Sequence, residues 1–248
     1  RMTYAYASTD KQQNIGTDPN VIFQTTNTAV QLKNSSGSLM DQGTVQYYAG
    51  AWRDFGTTTS GVANKELLPN TYSFRMLYAY ASNDKQQNIG ADPNVIFQTT
   101  NAAVQLKNSS GSLMDQGTVQ YYAGAWRDFD TTTNGVANKE LLPNSYSFRM
   151  TYEYISKDIT HNIGTSNTVN FSTVLCTVSV KDSQGNSINN ADAKYYAGAW
   201  REIGLTSNGI IIKELLPASL SFRVISGTTQ KDKTQDLSTG STVEFTLP

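Results

Sequence analysis

Cysteine is almost absent from this chain: Cys176 stands alone among 248 residues, so no disulfide can form within it. Small extracellular domains of eukaryotes usually depend on such bridges, whereas many bacterial surface proteins do without them, and that context suits the composition better. Histidine is equally scarce. His161 is the only one and falls in a polar loop, where it reads as a solvated side chain. No zinc-ligand spacing, phosphate-cradling glycine loop or Gly-x-Ser-x-Gly elbow appears, so the positioned acids, bases and nucleophiles that catalysis needs are not in evidence and no enzyme or cofactor is expected. Charge of one sign is lacking too. With 19 basic and 20 acidic residues the net charge is -1, which argues against nucleic acid as a partner because phosphate binding needs a basic surface. No apolar run reaches the ~18 residues of a membrane-spanning helix.

What is present is repetition. Arginine followed by Met or Val opens a copy at Arg1, Arg75, Arg149 and Arg223, an unbroken spacing of 74 residues. The first two copies differ at only seven positions (Thr3/Leu77, Thr9/Asn83, Thr17/Ala91, Thr28/Ala102, Gly56/Asp130, Ser60/Asn134 and Thr71/Ser145). A period of this length marks an array of small folding units rather than one large domain. A unit of about seventy residues buries only ~60% of its unfolded surface, so neighbour contacts would help it.

Within a unit, alternation at period two dominates and no helical period stands out, which predicts an all-β protein. The clearest strand is Tyr72 to Tyr80, with Tyr72, Phe74, Met76, Tyr78 and Tyr80 on one face; its counterparts are Tyr146 to Tyr154 and Leu220 to Ser226. Ala29 to Asn34 runs into the turn cluster Ser35-Ser36-Gly37, and Thr44 to Tyr48 follows. Trp52–Thr58 and Val62–Leu68 flank Ser60-Gly61, which becomes Asn134-Gly135 and Asn208-Gly209, a strong hairpin signal because both residues tolerate positive φ. Leu67-Leu68-Pro69 ends that strand. A polar stretch from Ser82 to Gly90 leads to a last strand at Val95-Ile96-Phe97. About seven short strands in seventy residues is the signature of an immunoglobulin-like sandwich.

That strand order is complete over 27–100, 101–174 and 175–248, the last being divergent, and leaves 1–26 as the C-terminal strands of a preceding repeat. The unit of duplication and the unit of folding are thus expected to be offset, and the chain to be part of a longer protein whose targeting signals lie elsewhere.

The run Val30-Gln-Leu-Lys-Asn-Ser-Ser-Gly37, then Gly43-Thr-Val-Gln-Tyr47, Thr57 to Gly61 and Leu67-Leu-Pro-Asn-Thr-Tyr-Ser-Phe74 resembles prealbumin-like domains of the Cna-B and carboxypeptidase-regulatory type. The resemblance covers about two thirds of each unit and concerns fold more than function. It implies modules that serve as stalks and spacers in surface adhesins and pili, or as accessory domains beside enzymes. Cna-B domains often carry a Lys-to-Asn/Asp isopeptide bond promoted by a glutamate, but Met76, Met150 and Val224 stand where the resemblance places that acid. A bond from Lys33 or Lys107 is therefore not expected.

One string recurs intact even in the third unit: Tyr-Tyr-Ala-Gly-Ala-Trp-Arg, at Tyr47–Arg53, Tyr121–Arg127 and Tyr195–Arg201. It has two readings. In one, Ala-Gly makes a tight turn, Trp caps the sandwich end, and Arg stacks on an aromatic face or pairs with the following Asp54, Asp128 or Glu202. In the other, Tyr48, Trp52, Arg53, Tyr122, Trp126, Arg127, Tyr196, Trp200 and Arg201 form a platform for sugar rings or for the adjacent module. Asp18-Pro-Asn20 and Asp92-Pro-Asn94 read as turns rather than calcium ligands, because the third unit has Ser166-Asn-Thr168 there. Asn34-Ser-Ser36, Asn108-Ser-Ser110 and Asn170-Phe-Ser172 match a glycosylation sequon, which matters only in a eukaryotic source. The expectation is a tandem array of three small β-sandwiches forming an extended rod in a secreted or cell-surface, adhesin-like protein. Its partners would be neighbouring modules and, in the second reading, glycans or a surface protein bound by a multivalent array.

Overall fold

The computed structural model describes all 248 residues. It holds strands and turns with no helix. A short hairpin, β1 (Met2–Tyr4) and β2 (Ala7–Thr9), precedes the first sandwich of β3 (Thr26–Lys33), β4 (Thr44–Tyr48), β5 (Trp52–Thr57), β6 (Val62–Leu67), β7 (Thr71–Tyr78), β8 (Ala81–Asn88) and β9 (Asn94–Gln98). The second comprises β10 (Thr100–Lys107), β11 (Thr118–Tyr122), β12 (Trp126–Thr131), β13 (Val136–Leu141), β14 (Ser145–Tyr152), β15 (Ile155–Asn162) and β16 (Thr168–Ser172). The third comprises β17 (Val174–Lys181), β18 (Asp192–Tyr196), β19 (Trp200–Leu205), β20 (Ile210–Leu215), β21 (Ser219–Ser226), β22 (Thr229–Asp236) and β23 (Thr242–Thr246).

Each set of seven strands forms a three-stranded and a four-stranded sheet. In the first the orders are β6-β3-β9 and β5-β4-β7-β8, and the same orders recur in the other two. The first strand of each sandwich runs parallel to the last, β3 to β9, β10 to β16 and β17 to β23, while the other pairings of the first and third sandwiches are antiparallel. The repeats are therefore immunoglobulin-like, prealbumin-like sandwiches.

Period-two alternation builds the core between the sheets. On β7, Tyr72, Phe74 and Met76 point inward, facing Val30 and Leu32 from β3 and Val45 and Tyr47 from β4, all buried. Met76, Met150 and Val224 are fully buried in this layer, so apolar packing occupies the position where the resemblance would place a promoting acid. Cys176 lies in the same layer of the third sandwich, and burial pushes its thiol up to about 12.

Two local devices fix the loops. Ser60 and Gly61 both take positive φ (51° and 78°), as do Asn134-Gly135 and Asn208-Gly209, which is the geometry of a tight hairpin turn. A Cβ on Gly61 would lie 2.3 Å from Leu39 Cβ, so no larger residue fits. Buried Thr58 ties the preceding loop down. Its hydroxyl accepts from Gly43 N (3.0 Å) and donates to Met40 O (3.2 Å), and Thr132 and Thr206 repeat the contact to Gly117 and Ala191.

Two sequence expectations need correction. The strand expected to run from Tyr72 to Tyr80 stops at Tyr78, because Ala79 and Tyr80 turn the chain with φ of 49° and 62°. The polar stretch after it is not a loop but β8. That strand lies at the edge of the four-stranded sheet and is largely exposed, so it carries no apolar alternation to announce it.

The chain divides into two compact units: 1–102 with 139–145 and 162–167, and 103–138 with 146–161 and 168–248. The first unit therefore includes the Leu-Leu-Pro end of β13, and Leu142 is a member of the core cluster built by β3 to β9.

Candidate functional site

The candidate site is the joint at which one repeat hands over to the next. In the first unit β9 ends at Gln98 and β10 begins at Thr100, leaving Thr99 as the only residue between strands. Thr99 is 3% exposed, and its amide donates to Lys33 O (2.8 Å). Glu140, near the end of β13, receives three hydrogen bonds there: from Ser35 N (3.1 Å), from Ser35 Oγ (2.5 Å) and from the Thr99 hydroxyl. Leu142 is fully buried beside them. Asn83 donates to Pro143 O (3.5 Å) and Asn144 to Ser82 O (3.1 Å), which ties the β7–β8 hairpin to the same segment. Burial first, and then the charge of Glu140, pushes the Tyr78 phenol up. A groove of about 620 Å³ lined by Ser35, Gln98, Thr99, Pro143 and Asn167 borders this latch.

The second unit repeats the arrangement. Glu214 accepts from Ser109 N (3.2 Å), Ser109 Oγ and the Thr173 hydroxyl, and Thr173 is again the single residue between strands. Glu153 adds a contact that the other repeats lack: its carboxylate pairs with Lys213 (3.3 Å) and accepts from Tyr195 OH (3.1 Å). Burial and this neighbouring carboxylate both raise the Tyr195 phenol.

The recurring Tyr-Tyr-Ala-Gly-Ala-Trp-Arg string divides between two places because successive strand residues face opposite ways. Tyr47 and Arg53 point toward the seat of the hairpin that precedes their sandwich. Tyr47 OH donates to Ala5 O (3.0 Å), and the Arg53 guanidinium lies 4.0 Å from the centre of the Tyr6 ring. In the second unit Tyr195 OH donates to Glu153 O (3.1 Å), and Arg201 lies 3.6 Å over Tyr154. The Nε–H groups of Arg53 and Arg201 are buried without a hydrogen-bond acceptor, so cation–π contact is what compensates those side chains.

Tyr48 and Trp52 occupy the outer face of the four-stranded sheet. Their rings meet edge to face at 5.6 Å, and Arg75 covers the indole at 4.0 Å while making a bidentate pair with Asp84 (2.7 Å on each arm). Tyr122–Trp126–Arg149–Asp158 and Tyr196–Trp200–Arg223–Asp232 repeat this ladder. Each aspartate is held below the usual carboxylate range, mainly by its arginine hydrogen bond. Two details differ from expectation. The arginine covering each tryptophan is not the one that follows it in the string but comes from β7 or its counterpart, two strands over in the order β5-β4-β7-β8. The ion pairs expected between Arg53 and Asp54 and between Arg201 and Glu202 are replaced, since both arginines turn to the tyrosine of the preceding hairpin and Glu202 pairs with Lys194 (2.7 Å).

The glutamate latch was missed by sequence reasoning. Its available signal is Lys-Glu-Leu-Leu-Pro, which recurs at 65–69, 139–143 and 213–217 even where the third repeat has drifted. No group of three or more His, Cys, Asp or Glu side chains is placed to hold a metal ion.

The sheets thus define a class, the tandem array of immunoglobulin-like β-sandwiches. No family model matches the chain, and no curated protein matches it. Among solved structures it is similar to the Bacillus anthracis TIE protein, at 12% identity over 90% of this chain and 51% of that one (TM-score 0.26). It is also similar to BcpA, the major pilin subunit of Bacillus cereus (10% identity, 90% and 99% of the two chains, TM-score 0.26), and to a streptococcal ancillary pilin (10%, 89% and 98%, TM-score 0.28). The chain spans about half the length of the B. anthracis protein. At such identities and scores, the fold assignment rests on the sheets described above.

Proposed function

We propose that this chain is a non-catalytic stalk or spacer segment of a secreted or cell-surface, adhesin-like protein, built from folding repeats at 27–100, 101–174 and 175–248. The observation that carries the proposal is the joint. A single ordered residue links successive sandwiches, and a half-buried carboxylate with three donors locks it at Glu140 and again at Glu214. Such joints suit a part whose job is to set distance, and stability in repeat arrays is shared between neighbours in this way. The pilins among the similar structures are in keeping with this role.

The test is a series of chains lacking or duplicating residues 101–174, studied by small-angle scattering. The maximum dimension should rise by one constant increment per repeat. Increments that shrink or vary with repeat number would overturn the spacer reading. The glycan alternative places the Trp52, Trp126 and Trp200 ladders in contact with sugars, although an arginine already covers one face of each indole. Tryptophan fluorescence titrated against a glycan panel decides it, since a saturable shift would favour binding.

A further inference from the structure

The face that receives the latch is not the same on all three repeats. On the first it comprises Asn34, Ser35, Tyr78, Tyr80 and Thr99; on the second Asn108, Ser109, Tyr152, Tyr154 and Thr173. On the third the equivalent positions are Asp182, Ser183, Ser226, Thr228 and Leu247. Four of the five have changed: three changes remove something the occupied joints use, and the fourth adds a charge.

Leu247 keeps the backbone bond of its counterparts, its amide donating to Lys181 O (2.8 Å), but it has no hydroxyl to give a glutamate and is itself buried at 3% exposure. Thr228 cannot supply the ring that Tyr154 places under Arg201. Ser226 replaces the half-buried aromatics Tyr78 and Tyr152, whose phenols are raised first by burial and then by nearby carboxylates, Glu140 at Tyr78 and Glu153 followed by Glu214 at Tyr152. Asp182 is the most telling. Asn34 Oδ1 accepts from Ser36 N and Ser38 N (3.1 and 2.8 Å), and Asp182 Oδ1 accepts from Gln184 N and Asn186 N (2.9 and 2.8 Å). The turn therefore works equally well with either residue. What the aspartate adds is a negative charge next to Ser183, the residue equivalent to those that donate to the incoming glutamate.

Backbone strain follows the same division. The hairpins seated in joints hold two non-glycine residues at positive φ: Ala5 and Tyr6 (48° and 63°), and Glu153 and Tyr154 (48° and 61°). Such residues occupy that region only when surrounding contacts hold them. In the third repeat the turn relaxes onto glycine, with Gly227 at 58°.

We infer that the repeats carry a directional docking code, in which a face bearing Asn, two Tyr and Thr accepts the Glu-Leu-Leu-Pro edge of a following repeat of this kind. The face bearing Asp182, Ser226, Thr228 and Leu247 is coded against one. This inference concerns joint chemistry alone and stands whether or not the chain is a stalk.

The test uses the whole chain in a Cys176→Ala background, with spin labels on Thr118→Cys and Thr242→Cys, both exposed strand positions of the second and third repeats. The distance distribution between them should be a single narrow peak. Giving the second repeat the third repeat's face, with Asn108→Asp, Tyr152→Ser, Tyr154→Thr and Thr173→Leu, should abolish that peak. If the set prevents folding, Asn108→Asp alone, which preserves the turn, should still broaden it. A peak that stays narrow in the folded variant overturns the inference. In the converse experiment a copy of residues 100–173 follows Leu247, with one label in the copy and one in the third repeat. It should give a broad distribution on the natural face and a narrow one after Asp182→Asn, Ser226→Tyr, Thr228→Tyr and Leu247→Thr. A narrow distribution on the natural face, or a broad one after all four changes, would refute the code.

Discussion

Glu140→Ala is the most informative single change, because the protein contains its own control. Glu140 and Glu66 occupy equivalent positions in the string Lys-Glu-Leu-Leu-Pro, yet Glu140 is half-buried with three donors, while Glu66 is exposed and makes no such contacts. A hydrogen bond to a charged group contributes about 1.5–3 kcal/mol net. The Thr99 bond is partly buried and counts fully, whereas the two from Ser35 lie at the surface and together add about 1 kcal/mol after screening. The loss is therefore about 2.5–4 kcal/mol for Glu140→Ala, against less than about 0.5 kcal/mol for Glu66→Ala, the usual range for an exposed position. Urea unfolding followed by tryptophan fluorescence and by circular dichroism reads both. For Glu140→Ala the two probes should also separate, since the repeats would no longer unfold together. A double-mutant cycle with Ser35→Ala isolates the pair term. If Glu140→Ala costs no more than Glu66→Ala, the latch contributes nothing and the reasoning about the joint fails.

Three further outcomes follow from geometry. Thr132→Val keeps the shape but leaves Gly117 N without its acceptor inside the protein, which should cost about 1–3 kcal/mol in chemical denaturation. Cys176, with its thiol raised to about 12, should resist iodoacetamide at pH 8 in the folded protein and react once denatured; native labelling would contradict its burial. Asp84, Asp158 and Asp232 have folded values below their unfolded ones, so the stability they contribute is present above the ordinary carboxylate range and is lost as pH falls through the depressed folded values. Asp158→Asn should therefore flatten the acid limb of a stability–pH curve and leave that part of the curve less sensitive to salt.

The parts of the fold that were legible in the sequence are those where local chemistry and burial agree. The Ser60-Gly61 and Asn134-Gly135 turns, the alternation of Tyr72, Phe74 and Met76, and the stop at Pro69 each announce themselves within a few residues. Strand β8 was illegible because both of its faces meet water or polar neighbours, so no apolar period marks it. The turn at Ala79-Tyr80 was hidden by its residues: neither favours positive φ, and contacts from far along the chain hold such turns in place. The joint was harder still. Glu140 looks like any polar strand residue, and its partners Ser35 and Thr99 lie 105 and 41 positions away. Arg53 and Trp52 were recognised as notable, but adjacent letters in a strand serve opposite faces, and the sequence does not say which partner each face meets.

The parallel pairing of first and last strands has a mechanical consequence. Tension applied along the chain pulls β3 from its N-terminal end and β9 from its C-terminal end. Because the two run side by side in the same direction, from Ala29 opposite Asn94 to Lys33 opposite Gln98, that load slides them along each other instead of peeling them apart. All the bonds of the register must then yield together rather than one at a time. The third sandwich carries the same clamp between Thr177–Lys181 and Thr242–Thr246. Resistance to force is governed by the rate of unfolding rather than by equilibrium stability, so a domain of modest stability closed by such a clamp can bear a pull that would unzip a hairpin of equal strength.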